Sequence, residues 1–299
     1  MVVVGGRWLG STMCLLMCLL CPVVLECAVL TFFCVLRIPP PPPSCLLVLG
    51  NLTAALKSKH MWNDTLLVVT SDNGGPMYSN NAANNFPLKG YKFSSWEGGI
   101  RVIGAVGGGF LDPKNAQANS TRRPLGSRLE GMTHGTDWYA TFAALGGVSS
   151  ADPRAEAAGL PPPDSLDLWP YLSGAVESSP RTSFQVDDQC LVTSPYKLLL
   201  GRQKSACWSG PHVPNATGSG VCTTVVDCGT DGCLFDVFAD PEERLNLASD
   251  PKHAGTLKSM QIQLAKANTK IFSPDRGAPD PRACAQVKVN GGYWGPFSP

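Results

Sequence analysis

The chain has 299 residues, of which 43% are hydrophobic and only 16% charged, and its formal net charge is +1. So even a balance excludes partners held by bulk electrostatics, namely nucleic acid and an anionic membrane surface. Glycine (31) and proline (26) are frequent, which predicts a loop-rich protein, and no internal repeat of roughly 20–50 residues is visible.

In chain order, the first feature is Met13 to Leu36, a run of 24 residues interrupted in polarity or geometry only by Pro22 and Glu26. It is long enough to span a bilayer, and Arg7 and Arg37 on its flanks carry little orientation signal. Two other readings stand beside a membrane anchor. Met13 to Leu25 has the length of a signal-peptide core, although Glu26-Cys27-Ala28 is a poor cleavage site. An incorrect start of a gene model would also look like this. Five prolines, Pro39 to Pro43, then predict a stiff polyproline II spacer.

Leu66-Leu67-Val68-Val69 is a short apolar run closed by Asp72-Asn73-Gly74-Gly75. The turn formers stop it too soon for a helix, so it predicts a parallel strand buried on both faces. Ligands of open α/β sheets sit beyond the carboxyl ends of the strands, which is where Asp72 and Asn73 fall. A carboxylate and an amide carbonyl are hard oxygen donors, suited to Ca²⁺ or Mg²⁺. The four residues also read simply as a turn. Pro87-Leu88-Lys89-Gly90-Tyr91-Lys92 follows as a loop with two cations, and a lysine suits a sulfate or phosphate oxygen.

Taken together, Ser71-Asp72-Asn73-Gly74-Gly75, then Pro87 to Lys92, then Ser95-Trp96-Glu97-Gly98-Gly99-Ile100-Arg101 closely resemble the sulfatase family, in particular its arylsulfatase B-like (N-acetylgalactosamine-4-sulfatase-like) enzymes. The resemblance implies an α/β fold of the alkaline-phosphatase type and calcium-dependent hydrolysis of sulfate esters. It gives Asp72 and Asn73 the role of Ca²⁺ ligands and Lys92 that of a sulfate contact. Lys89 matches a basic loop position without a catalytic role, and Glu97 and Arg101 are expected to brace the next strand.

Further segments share the likeness, so that it covers residues 49–299. Leu49 to Lys57 looks like the helix before the metal strand, and Thr133 to Phe142 like the segment after the Glu-Gly-Gly strand. His134 there is expected to pack or to start a helix rather than to catalyse. Ser165 to Trp169 matches the passage to a smaller C-terminal unit. Cys233 to Ala248 resembles another family hallmark, with Glu243 placed as in a capping box after Asp240-Pro241. Asp280 to Cys284 and Gly291 to Phe297 resemble the family's C-terminus. Three regions follow: 1–48, apolar with a proline spacer; 49–180, the later part of the α/β domain; and 181–299, a small antiparallel sheet with a helix. Asp250-Pro251 starts that helix, and Leu257, Met260 and Leu264 mark its buried stripe.

The family builds its nucleophile, a formylglycine, from the first residue of Cys/Ser-x-Pro-x-Arg, and this pentapeptide is absent. Cys21-Pro22 has the wrong spacing, and Ser178-Ser179-Pro180-Arg181 brings its arginine one residue early. The Asp-Asp pair that supplies further calcium ligands also lacks a counterpart, since Asp187-Asp188 lies after the metal strand and reads as a turn. Ca²⁺ takes about six to eight oxygens, and without a nucleophile the covalent route is closed. The expectation is a chain that does not turn over sulfate esters, either as part of a sulfatase or as a pseudoenzyme that binds sulfated small molecules or glycans, anchored through Met13 to Leu36. Without its first strands the large sheet is expected to leave an apolar edge.

Four N-x-Ser/Thr sequons, at Asn51, Asn63, Asn119 and Asn215, are compatible with a secretory, lysosomal or extracellular setting. Six cysteines lie in the first 45 residues. The other six, Cys190, Cys207, Cys222, Cys228, Cys233 and Cys284, suggest disulfides among 15 possible pairings. Zinc is disfavoured because Cys222, Cys228 and Cys233 lack paired spacing, and His212 is read as a loop residue.

Overall fold

The computed structural model describes residues 47–77, 84–112, 114, 123–208, 222–271, 278 and 280–295 in full, together with the backbone of 2–4, 13–20, 30–35 and 43–46. In chain order the elements are β1 (Val2–Val4), β2 (Met13–Leu20), β3 (Leu30–Val35), α1 (Pro43–Ser58), β4 (Thr65–Thr70), α2 (Glu97–Ile100, one turn), β5 (Gly104–Gly107) and β6 (Arg128–Leu129). Then come α3 (Asp137–Leu145), α4 (Pro153–Ala157), α5 (Trp169–Ser173), β7 (Ser183–Asp187), β8 (Cys190–Thr193), β9 (Tyr196–Leu199), β10 (Arg202–Gln203), β11 (Val226–Asp227), β12 (Cys233–Asp236), α6 (Ala254–Asn268) and α7 (Pro281–Val289).

The first sheet runs β3-β2-β4-β5-β1-β6. Its centre corrects the expectation of a parallel, doubly buried β4. The strand is antiparallel to β5, with Val68 opposite Val106, and antiparallel to β2 on its other side. The excursion from 71 to 103 is long enough for either direction, and the chain returns beside the strand it left running the opposite way. Burial alternates accordingly: Leu66 and Val68 are buried while Leu67 and Val69 are half-buried. Pairing of Met13–Leu20 with β4 also corrects the expected bare edge there. Leu66 and Val68 pack with Val106, Phe110, Leu129 and Leu168 against Trp138 and Phe142 of α3. Each such side chain, fully buried, contributes about 1.5–3 kcal/mol.

The second sheet, β12-β9-β8-β7, is antiparallel throughout. Alternation along its strands divides it into two faces. Leu191, Leu198 and Leu234 meet Met260 and Leu264 of α6, with Leu257 packed against them, as the sequence predicts. Cys190, Val192, Leu199 and Phe235 point the other way and enclose Trp96, which has no exposed surface. The smaller sheet therefore holds the segment that follows the candidate lysine loop. Asp250 starts the C-terminal helix region by accepting from Lys252 N at 2.9 Å, and Asp187-Asp188 lies at the β7–β8 turn.

Helix α1 includes the predicted 49–57 segment. Among the described residues no helix is long and apolar enough to cross a membrane. Of the expected anchor, Met13–Leu20 and Leu30–Val35 are strands; residues 21–29, and the proline run before Pro43, lie outside the described residues. The expectation of disulfides among the six later cysteines holds for four of them. Cys207 pairs with Cys222 and Cys228 with Cys233, whereas Cys190 is a buried thiol and Cys284 an exposed one. Cys190 sits inside the sheet's Trp96 face, and Cys284 lies on α7, which buries no side chain.

Candidate functional site

Three loops meet at the carboxyl end of β4 and are joined chiefly through their backbones. Gly74 N donates to Gly99 O at 2.8 Å, which ties the Asp72-Asn73 corner to the Glu-Gly-Gly turn. Gly98 N donates to Lys89 O at 2.6 Å, which ties the same turn to the lysine loop. The carbonyl of Gly75 closes the circuit by accepting from Lys92 N at 3.2 Å and from Asn85 Nδ2 at 3.0 Å. Asn85 is buried and also accepts from Gly75 N at 2.8 Å, so one amide side chain clamps the corner from both directions.

Such close approach requires glycine. A Cβ on Gly74 would lie 1.8 Å from Gly98 O, and one on Gly98 would lie 2.4 Å from Gly90 O. The glycines that read as turn formers in the sequence are contact points between loops.

At the corner, Asp72 is exposed and Asn73 half-buried. Asp72 Oδ1 accepts from Asn73 N at 2.9 Å, Ser71 Oγ donates to Asn73 O at 2.9 Å, and Asn73 Nδ2 donates to Gly74 O at 2.7 Å. The amide nitrogen is thus occupied by a backbone carbonyl. Among the described residues, no three His, Cys, Asp or Glu side chains come together to hold a metal ion. Two hard donors fit one side of a calcium site and fall short of a coordination shell.

The two lysines of the loop have different surroundings. Lys92 is half-buried, and its Nζ lies 5.4 Å from the Phe93 ring centroid. Lys89 is only 4% exposed, with Nζ 3.7 Å from the Trp96 centroid and 4.5 Å from that of Trp208. Burial holds its pKa below the ordinary lysine value, partly opposed by Glu243. Lys89 packs against aromatic rings, and Lys92 is the less buried of the two.

Beneath the loops lies a charge cluster that sequence reading misplaces. Glu97 and Arg101 do not brace the next strand. Arg101 Nε lies 2.5 Å from Glu97 Oε2, while Arg101 Nη2 donates to Val237 O at 2.9 Å. Lys197 Nζ lies 3.1 Å from Glu97 Oε1 and 2.7 Å from Glu243 Oε1. Glu243 is no capping residue: it is fully buried at φ 55°, and its Oε2 accepts from Glu97 N at 2.7 Å. The cap role falls to Asp240, whose Oδ2 accepts from Arg244 N and Leu245 N. Burial pushes Glu243 up to about 7 despite Lys197, and Glu97 adds to the rise. Burial also disfavours charge on Glu97, but Lys197 and Arg101 outweigh it and hold that carboxyl below the usual range. The only sequence signal for this cluster is a lysine flanked by apolar residues in Tyr196 to Leu200.

His134 behaves as expected. Its backbone N donates to Asp137 Oδ2 at 2.9 Å at the start of α3, its ring lies 4.9 Å from that of Phe184, and burial, aided by Arg181, lowers its pKa. A separate cleft of about 480 Å³ is lined by Arg123, Arg128, Tyr171 and Arg181 and by none of Asp72, Asn73 or Lys92. Asn51 and Asn63 are exposed; Asn119, Asn215 and His212 lie outside the described residues.

Comparison with known proteins finds similarity over the same segment. The sulfatase family model matches residues 48–103, the segment that contains all three loops. Arylsulfatase J of Mus musculus is 29% identical over 278 residues, which is 83% of this chain and 42% of that protein. Steryl-sulfatase of Rattus norvegicus is 28% identical over 232 residues, 71% of this chain and 37% of that protein. The chain thus spans less than half the length of these relatives. Among solved structures, PsFucS1 sulfatase from Pseudoalteromonas sp. shares the fold, with a TM-score of 0.52 at 22% identity, over 75% of this chain and 42% of that one. Residues 48–103 thus match the sulfatase family model, and most of the chain is similar to arylsulfatase J and steryl-sulfatase.

Proposed function

We propose that the Thr65–Arg101 segment is the calcium- and sulfate-facing half of an arylsulfatase B-like active site, and that these 299 residues bind a sulfated small molecule or glycan without cleaving it. The observation that carries this reading is the shared carbonyl of Gly75, which takes both Lys92 N and Asn85 Nδ2 and so fixes the lysine loop to the metal corner. Lys92 supplies a compact positive charge for the sulfate oxygens. Asp72 and Asn73 supply two oxygens toward a cation, which when bound would neutralise further anionic charge. Joined to a segment with formylglycine and an Asp pair, the same half-site would serve sulfate-ester hydrolysis. Exposed Asn51 and Asn63 in N-x-Thr sequons support a glycosylated protein of the secretory pathway.

The test is calorimetric titration of the intact chain with phenyl sulfate, with and without Ca²⁺, alongside an assay for released phenol. Saturable binding without phenol release supports the reading. So does strengthening by Ca²⁺ that is lost in Asp72→Asn, with Ca²⁺ itself bound weakly, on the order of millimolar. Binding indifferent to Ca²⁺ and to Asp72→Asn refutes the metal assignment, and phenol release refutes the inactive reading.

A further inference from the structure

Gly90 and Tyr91, which directly precede Lys92, are gripped by the two halves of one disulfide. Gly90 N donates to Cys207 O at 2.9 Å, and the Tyr91 hydroxyl donates to Cys222 O at 3.3 Å. Cys207 and Cys222 are bonded to each other. Their two backbone segments form a narrow ladder. Arg202 and Gln203 of β10 pair with Asp227 and Val226 of β11, and Ala206 N donates to Thr224 O at 3.1 Å. The disulfide closes this ladder at the end that meets the lysine loop, where Trp208 bridges Lys89. A ladder of two such short strands is a weak support by itself. Cys207 and Cys222 are 15 positions apart in sequence, so the covalent bond is what keeps their carbonyls together against the freedom of the segment between them.

We propose that the Cys207–Cys222 disulfide is a positioning element for the anion site: it fixes Gly90 and Tyr91, and through them Lys92, so that opening it weakens sulfate binding while the chain stays folded. This rests on the assignment of Lys92 as the sulfate contact. The two disulfides differ in access. Cys207 and Cys222 are half-buried, whereas Cys228 and Cys233 are 7% and 3% exposed. A dithiol reductant reaches the first before the second, because exchange requires a thiolate to touch a sulfur. In that exchange the dithiol gives up two electrons and two protons. The Cys207–Cys222 bond becomes two thiols, and the reductant closes into its own disulfide.

Hydrogen exchange and phenyl sulfate titration of the intact chain, before and after mild dithiothreitol, test this. Alkylation and peptide mapping confirm that Cys207 and Cys222 are labelled while Cys228 and Cys233 stay paired. Opening the bond is expected to speed exchange at the amides of Gly90 and Lys92. It is also expected to weaken phenyl sulfate about three- to ten-fold, the worth of one net hydrogen bond. Unfolding stays cooperative, and reoxidation restores the affinity. Tyr91→Phe weakens binding by the oxidised chain, and dithiothreitol then adds less than in wild type, because both changes act through one contact. Cys207→Ser/Cys222→Ser repeats the test without a reductant: it binds like reduced wild type and does not respond to dithiothreitol. Unchanged affinity once both cysteines are labelled overturns the positioning role but leaves Lys92 in its own. Fully additive losses in Tyr91→Phe, or faster exchange throughout the chain, make the bond a general support and overturn the proposal equally. Phenyl sulfate binding retained in Lys92→Ala overturns the anion site on which it rests, whatever the exchange shows.

Discussion

Lys197 and Glu243 are both fully buried, and Lys197 Nζ lies 2.7 Å from Glu243 Oε1. Lys197 belongs to β9, Glu243 follows β12, and Glu97, their third partner, opens the turn that holds both candidate-site loops. One ammonium thus sits between two carboxylates at the junction of the smaller sheet and the site.

Removing the ammonium alone leaves two buried carboxylates without their common partner. Lys197→Met is expected to destabilise the chain by about 3–5 kcal/mol, the range for breaking a buried pair from one side. Urea unfolding at neutral pH measures it; a loss below about 1 kcal/mol would mean that water reaches the cluster.

Stability should also depend on pH through Glu243. Its pKa rises from 4.5 to about 7 on folding, so the folded state binds the proton more tightly than the unfolded chain. That contribution is complete below pH ~4.5 and is lost as pH rises through ~7. Wild type should lose on the order of 2–3 kcal/mol more than Glu243→Gln between pH 5 and 7.5, as measured by urea unfolding. Parallel pH profiles would place the titration elsewhere. Glu97, held low, affects stability only as pH falls below its ordinary value, outside this window.

Glycines near the site divide by what a methyl group would meet. At Gly74 the new Cβ lies 1.8 Å from Gly98 O, while at Gly107 nothing lies within 4 Å. Gly74→Ala should cost about 3 kcal/mol or more and loosen the loops, since the obstacle is backbone. Gly107→Ala, on β5, should be neutral or stabilising by about 0.5 kcal/mol. Thermal unfolding of the two variants distinguishes them, and similar midpoints would contradict the packing described.

The two thiols outside the disulfides should differ in reactivity. Burial pushes the Cys190 thiol far above its usual range, so it is inert in the native state, whereas Cys284 is exposed. Peptide mapping after alkylation under native conditions should find Cys284 modified and Cys190 intact.

Much of this was legible in the sequence where one local rule sufficed. The stripe Leu257, Met260 and Leu264 gave α6, and the apolar run at Leu66 gave a strand, because periodicity reflects burial directly. The Asp72, Asn73 and Lys92 assignments depended on the order of three motifs, and the backbone bonds through Gly75 bring those motifs together. The direction of β4 was not legible, because Leu66-Leu67-Val68-Val69 suits either pairing and its neighbours β2 and β5 are set by the tertiary fold. Glu243 was misread because Asp240, three residues earlier and followed by Pro241, imitates a helix start, whereas its partners Lys197 and Glu97 are distant in sequence. Lys89 and Lys92 look alike on paper; the difference lies in Trp96 and Trp208, which only the fold places beside Lys89.

The separation of the two lysines is the central claim, and parallel phenyl sulfate titration and urea unfolding of Lys92→Ala and Lys89→Met test it most directly. Lys92→Ala should leave stability within about 0.5 kcal/mol of wild type and abolish binding. Lys89→Met should lose about 2 kcal/mol from the cation–π contacts with Trp96 and Trp208 and still bind where folded. Retained binding in Lys92→Ala, with loss only in a folded Lys89→Met, would contradict the account.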